Sequence, residues 1–389
     1  MAKRRPPGDP TGVRPGNGKI YALLIGINEY TNSKVRDLHG CINDLDQITA
    51  FLKAYWEIAP GESGTTVEEA IPYQRYFIDQ AFDYDFLHIC RLENENATYD
   101  KVIEAFQTFL GKAKANDSVW FHFSGHGSEA PTASVFASIE DGLDQGLFCA
   151  DYEMKPDAHY TGFLADKEIG ILLDEITGGP GAAPHVLVTL DACYSGGGTR
   201  DGSVVIPSGL NVRQDKVDEN AEGRLLDTYY LGAFREQIEN GDISLPSPPH
   251  VVLTACTNRE LALEAGSGGL FTEALLDSLY SEPGPGLINY SELLIRTRAA
   301  VRQAAFRKDL IQTPQFEVLG GVKANTLFLE GITYGEPDRY EIDHKLGEYI
   351  VKLGAIHGLP STAEIQRLST AETRPLKLEI FSYNTIEKG

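Results

Sequence analysis

What most constrains this chain is a rhythm of short apolar runs that do not alternate with polar residues. Lys19-Ile20-Tyr21-Ala22-Leu23-Leu24-Ile25-Gly26-Ile27 is the first; Ser118–Phe123, His185–Leu190 and His250–Ala255 follow, with another at 85–91. A run that is apolar on both sides suits a strand buried on both faces. Residues 40–55, 98–115, 166–176, 269–280 and 290–307 carry apolar side chains at helical spacing instead. Strands alternating with helices predict an α/β fold. Its core is an open, mostly parallel sheet with helices on both faces, joined by right-handed crossovers.

Two stretches interrupt the rhythm. Residues 127–165 form an acidic, Gly-containing excursion after one strand, and 196–249 separate two core strands without a strong strand pattern. A connection that long is expected to be a functional loop or a processed linker. The expected organisation is therefore a flexible basic Pro/Gly-rich tail over 1–18 and a main domain over 19–330. A small β-rich C-terminal appendage covers 336–389, with strands at 340–343, 349–353 and 376–381. Within the main domain, a first part runs to about 196, a linker spans 197–249 and a second part spans 250–330.

Composition narrows the function. Lys plus Arg is 34 and Asp plus Glu is 56, so the net charge is 34 − 56 = −22. Such a surface repels phosphate, which argues against nucleic acid as a partner and favours basic peptides. Five cysteines are too few and odd in number for a disulfide framework. A reducing, cytoplasmic setting fits them. No stretch reaches the ~18 apolar residues of a membrane span, so no membrane partner is expected.

In an open parallel sheet, ligands bind beyond the carboxyl ends of the strands. Ser124-Gly125-His126-Gly127 follows one core strand, and Asp191-Ala192-Cys193-Tyr194-Ser195-Gly196 follows another. A histidine and a cysteine at one sheet edge suit thiol-based acyl transfer. The imidazole can take the thiol proton and return it to a leaving amine. Neighbouring glycines give a substrate backbone room and let main-chain N–H groups converge on an oxyanion. The other cysteines, Cys41, Cys90, Cys149 and Cys256, read as packing residues, and His122 as structural.

These motifs resemble those of the caspase-like cysteine peptidases, within them the metacaspases and their prokaryotic relatives. The resemblance runs from about Ile20 to Leu329 and includes Gly40-Cys41-Ile42-Asn43-Asp44-Leu45 and Gly269-Leu270-Phe271-Thr272-Glu273-Ala274-Leu275-Leu276. It implies a caspase-like fold, His126 as general base, Cys193 as nucleophile, and the N–H groups of Gly127 and Cys193 as oxyanion hole. It also implies a pocket lined by Asp44, Ser124 and Asp191. Ionised carboxylates there would pair with Arg or Lys and repel Asp. Cleavage after Arg or Lys is therefore expected. Within the linker Arg213, Lys216 and Arg224 are candidate self-cleavage points, the first two in its most polar stretch.

The chemistry requires no cofactor. Calcium is a candidate activator through Asp141, Asp166 and Asp201, with Glu140, Asp144 and Asp151 nearby, since oxygen ligands suit that ion. The alternative function is a non-catalytic scaffold that binds partners through the tail and the appendage. Nucleotide binding through Gly266-Ser267-Gly268-Gly269 or Gly196-Gly197-Gly198 is disfavoured, because neither continues into Gly-Lys-Ser/Thr.

Overall fold

The structure is a computed structural model that describes residues 18–55, 65–66, 80–83, 86–138, 142–157, 159–178, 183–193, 206–207, 209–215, 217, 221–266, 268–281, 288–333, 342–345 and 348–351. Two compact units divide the chain, Met1–Arg339 and Tyr340–Gly389.

The first unit opens with β1 (Ile20–Gly26), α1 (Cys41–Tyr55), β2 (Thr65–Thr66), β3 (Gln80–Asp83), β4 (Leu87–Glu93), α2 (Tyr99–Thr108) and β5 (Ser118–Ser124). It continues with β6 (Gly127–Pro131), β7 (Leu143–Met154), β8 (Tyr160–Ala165), α3 (Asp166–Thr177), β9 (His185–Asp191) and β10 (Leu210–Val212). It ends with α4 (Arg235–Glu239), β11 (His250–Thr254), β12 (Leu263–Ala265), β13 (Gly268–Gly269), α5 (Leu270–Tyr280), α6 (Tyr290–Phe306) and β14 (Gln315–Leu319). In the second unit the described residues form an antiparallel hairpin, β15 (Ile342–Lys345) with β16 (Glu348–Val351), in which Ile342 faces Val351. The strand expected at 376–381 and the tail residues 1–17 lie outside the described residues.

The main sheet has eight strands in the order β14-β11-β9-β5-β1-β4-β3-β2. The central strands β4, β1, β5, β9 and β11 run parallel, and the edges are antiparallel. This is the expected α/β fold. Every residue of β1 and β5 is buried, which is why their sequences do not alternate. One face packs Leu23, Ile25, Phe121, Phe123 and Val188 against Val102 and Phe106 of α2 and Ile169 and Leu172 of α3. The other face sets Trp120 edge-on to Phe51 of α1 and to Phe328, which in turn meets Tyr290 of α6. The chain starts in the middle of the sheet, lays β4 on one side of β1 and then β5 and β9 on the other. That reversal opens the crevice in which a ligand is expected.

Both interrupting stretches carry more structure than their composition suggests. The acidic excursion over 127–165 is a three-stranded antiparallel sheet, β6-β7-β8, with an irregular register between Phe148 and Glu153 of β7. Its strand pattern is hidden because a buried acid, Asp144, sits inside β7. That carboxylate is neutralised by Lys167 Nζ at 3.1 Å and bonded by the hydroxyls of Thr132 and Tyr229. The linker is not an unfolded loop either. Its described part from 221 onward docks on the main domain through Arg224, whose guanidinium is buried against Glu168 at 2.7 Å and stacks over the Tyr229 ring at 3.9 Å. Arg224, one of the candidate cleavage points, thus stands in the folded chain with its charge paired to a buried carboxylate. Lys216 lies outside the described residues.

Candidate functional site

The site is organised by two strand ends and the first turn of a helix, and its centre is Arg213. Asp44 sits in the first turn of α1, Ser124 ends β5 and Asp191 ends β9, with Ser124 directly opposite Asp191 in the sheet register. The Arg213 guanidinium lies between carboxylates. Its Nη2 is 2.6 Å from Asp44 Oδ2 and 3.4 Å from Glu264 Oε2, and its Nη1 is 3.0 Å from Asp191 Oδ2. The side chains of Arg213, Asp44 and Asp191 are wholly buried. Arg213 stands in the most polar stretch of the linker, yet it is fixed by charge.

Each carboxylate is held in place by its own donors. Asp44 accepts the Ser124 hydroxyl at 2.7 Å and the Gly269 N–H at 3.0 Å. Ser124 thus orients Asp44. Asp191 accepts the Thr272 N–H at 3.0 Å and the Thr272 hydroxyl at 2.7 Å, which places its charge at the N-terminus of α5. Glu264 accepts the N–H groups of His39 and Gly40 at 2.9 and 3.1 Å. Burial disfavours the Arg213 charge, but Asp191 and then Asp44 raise its pKa well above the ordinary range. Burial pushes Asp44 up to about 6 although Arg213 pulls it down. For Glu264 burial also acts upward, but Arg213 and the N–H donors bring it below the usual carboxylate range.

The pocket walls are glycines. A Cβ on Gly269 would stand 2.2 Å from Asp191 Oδ2 and 2.5 Å from Arg213 Nη1, and one on Gly268 would stand 2.8 Å from Asp44 Oδ1. Gly269 therefore matters because the guanidinium needs its volume. Glu264 was not foreseen from the sequence. Its signal was faint: a lone acid in an apolar stretch, two residues before a glycine.

The main chain of the linker is held as firmly as the side chain. Leu210–Val212 pairs antiparallel with Leu263–Ala265, and the Arg213 N–H donates to the Ala262 carbonyl at 2.9 Å. The Arg213 carbonyl accepts two N–H groups, from Cys193 at 3.0 Å and from Gly127 at 3.3 Å. A Cβ on Gly127 would come within 2.1 Å of the Cys193 carbonyl oxygen, so only glycine lets the two loops approach. The Cys193 sulfur is buried and accepts the Ala262 N–H at 2.8 Å. His126 is fixed from two sides. Its main-chain N–H donates to the Tyr30 hydroxyl at 2.8 Å, and its Nε2 lies 2.7 Å from the Arg36 carbonyl. A carbonyl only accepts, so Nε2 carries the proton and the buried Nδ1, which has no hydrogen-bond partner among the described residues, keeps its lone pair. Burial lowers the His126 pKa to about 4, which keeps the ring neutral.

A family model described as Caspase domain matches residues 19–321. The chain belongs to the caspase domain family. It is similar to Metacaspase-1 of Debaryomyces hansenii, 32% identical over 142 residues, which are 36% of this chain and 26% of that one. Metacaspase III c of Phaeodactylum tricornutum is 26% identical over 220 residues, covering 56% and 53%. The match thus spans a quarter to about half of these two relatives. A solved protein of Geobacter sulfurreducens has the same fold at a TM-score of 0.50 and 20% identity, over 80% of this chain and 97% of that one.

The remaining candidates of this caspase domain are less connected. Tyr194, Ser195 and Gly196 after the cysteine, and the acidic residues Asp141 and Asp201, lie outside the described residues. Asp166 lies 3.5 Å from Lys167 Nζ, and Asp151 accepts the Tyr99 N–H. Among the described residues no group of three His, Cys, Asp or Glu could hold a metal ion. No described helix is long and apolar enough to cross a membrane.

His122, read as structural, donates or accepts at Thr189 Oγ1, 2.8 Å away, and burial lowers its pKa to about 3. An unfolded histidine titrates near 6.5. Between pH 6.5 and 3 the unfolded chain therefore binds the proton that the native chain refuses, and stability falls as pH falls. Asp44, shifted upward, has the opposite sign over part of that window. A difference measurement isolates the histidine. Between pH 7 and pH 5, His122→Asn is expected to reduce the loss of unfolding free energy by about 2 kcal/mol relative to the parent chain. Urea unfolding at the two pH values reads this directly, and equal losses in both chains would show that His122 is not buried neutral.

Proposed function

We propose that the chain is a cysteine endopeptidase that cleaves after Arg or Lys, with His126 and Cys193 as its dyad. Its own Arg213–Gln214 bond is among its substrates. The observation that carries this reading is the double engagement of Arg213. Its guanidinium is enclosed by Asp44, Asp191 and Glu264 while its carbonyl receives the N–H groups of Gly127 and Cys193. A residue bound that way is bound as a substrate, by its side chain for selection and by its carbonyl for reaction.

The steps follow from the atoms present. The Cys193 thiol proton passes to His126 Nδ1 as the sulfur attacks the Arg213 carbonyl carbon. Charge developing on the carbonyl oxygen meets the two N–H groups already directed at it. Collapse breaks the bond to Gln214, whose nitrogen takes the proton from Nδ1, and leaves a thioester on Cys193. Water, deprotonated by the same nitrogen, releases the carboxylate and restores the thiol. The Arg36 carbonyl holds the ring in the tautomer that makes Nδ1 the base. A strand added against β12 supplies the main-chain register, as linker residues 210–212 do. The fit of a planar, forked cation between separate carboxylates favours Arg over Lys.

No step calls for a metal. Calcium stays a candidate activator at the acidic loops, tested by running each assay with calcium and with chelator.

The test is a fluorogenic peptide panel varied at the residue before the cut, with wild type and Asp191→Asn. Arginyl peptides are expected to be turned over best, lysyl peptides less and aspartyl peptides not at all. Removing the buried charge partner is expected to cost about 2–5 kcal/mol in kcat/KM for arginyl peptides. A preference for aspartyl peptides would overturn the pocket. A scaffold would bind arginyl peptides without turnover, and a thiol-reactive arginyl analogue would then leave Cys193 unlabelled.

A further inference from the structure

We propose that Arg36 forms a subsite for the segment beyond the cut bond and selects an acidic side chain at its second position. This rests on the reading of Arg213–Gln214 as a substrate-like bond. The two residues after Arg213 are Gln214 and Asp215, and both are held by Arg36. The Arg36 guanidinium donates from Nη2 to the Gln214 carbonyl at 2.6 Å. The Arg36 main-chain N–H donates to Asp215 Oδ2 at 2.8 Å, and its Nε lies 3.8 Å from the same oxygen. The Asp215 side chain is 16% exposed, whereas that of Arg36 is 66% exposed and reaches over it.

The chemistry of this subsite is one-sided. A main-chain N–H and a guanidinium direct only donors at one side-chain oxygen, so the position accepts and does not donate. A carboxylate satisfies both donors and cancels the charge. An amide offers one neutral oxygen and leaves the guanidinium uncompensated, and a lysine brings two cations together. The Gln214 side chain enters none of these contacts, so the first position is read through its main chain alone. The substrate class is a peptide with a base before the cut and an acid two places after it.

Arg36 is also a positioning residue, because its carbonyl accepts the His126 Nε2 proton at 2.7 Å. One residue thus holds the leaving segment by its N–H and guanidinium and the imidazole by its carbonyl. Occupancy of the subsite sets the base beside the nitrogen it must protonate. Selectivity is therefore expected in kcat as well as KM.

The experiment uses the full-length chain and three peptides that copy residues 209–217, with Asp, Asn or Lys at the position of Asp215. Wild type is expected to cleave the Asp peptide about 10-fold faster in kcat/KM than the Asn peptide, and the Lys peptide slowest. Arg36→Glu is expected to reverse the order of the Lys and Asp peptides, a change that mere loosening of the loop would not produce. Equal rates for all three on wild type, or an unchanged order in Arg36→Glu, overturn the subsite while leaving the peptidase reading intact. The same peptides, labelled and bound to an uncut Cys193→Ala, Arg213→Ala chain, read the subsite without turnover. There, loss of the Asp-over-Lys preference overturns it. Cleavage of none of the peptides, with that binding order preserved, would instead count against the peptidase reading.

Discussion

Cys193→Ala protein is expected to stay a single chain, while wild type is converted to two fragments cut between Arg213 and Gln214. The same substitution is expected to abolish turnover of arginyl peptides, and His126→Ala to lower it by on the order of 10²–10⁴-fold, the usual contribution of a general base. The argument is geometric. The Arg213 carbonyl already accepts the N–H groups of Gly127 and Cys193, and the Cys193 sulfur is held by the Ala262 N–H, as is the Arg213 N–H by the Ala262 carbonyl. Little reorganisation separates this arrangement from attack. The two fragments should remain associated, since β9 and β11 are neighbours in one sheet. Intact-mass analysis of both proteins after incubation, with and without calcium, checks the outcome. Wild-type chain that stays whole while it digests an arginyl peptide would show that the linker moves out of the site uncut and is not a substrate. Cleavage of the Cys193→Ala chain at Arg213 would falsify the assignment of the nucleophile.

Arg213→Met is expected to destabilise the uncut chain and to end processing at that bond. Methionine fills much of the volume but leaves Asp44 and Asp191 buried without a counter-charge. Removing one partner of a buried ion pair costs about 3–5 kcal/mol, because the other charge is left uncompensated. Undocking of residues 210–213 would let water reach the carboxylates and cap the loss. Arg213→Lys is expected to lie between, since a single ammonium cannot give separate nitrogens to Asp44 and Asp191 as the guanidinium does. It should be processed slowly rather than not at all. Denaturant unfolding in a Cys193→Ala background measures the stability, and the mass assay measures the processing. Unchanged stability together with unchanged processing in Arg213→Met would remove Arg213 from the pocket.

Much of this molecule is legible in the order of its residues, and the reason is local. A strand buried on both faces is mostly apolar along its whole length, so β1, β5, β9 and β11 announce themselves as apolar runs. Parallel connection then puts successive strand ends on one edge, which is how His126 and Cys193 could be placed together before any coordinates. The sheet β6-β7-β8 escaped because its longest strand holds Asp144, an acid made tolerable there by Lys167 and by the hydroxyls of Thr132 and Tyr229.

The occupant of the pocket was of another kind. By composition, Arg213 belonged to the most polar part of the linker, and Arg224 was a further candidate outside it. Only the folded chain shows that Arg213 is taken up by Asp44, 169 positions away, and Arg224 by Glu168, 56 positions away. The same holds for Glu264, for the glycines that make room for the guanidinium, and for Arg36 beside Asp215, across 179 positions. Apolar periodicity is written into neighbouring residues, so the sequence by itself determined the central strands β1, β4, β5, β9 and β11, the five long helices and the edge that carries His126 and Cys193. A buried charge is tolerable only beside its partner, and the partner is chosen by closure of the whole sheet, so the tertiary structure alone decided which arginine lies between Asp44 and Asp191 and which residue stands beside Asp215.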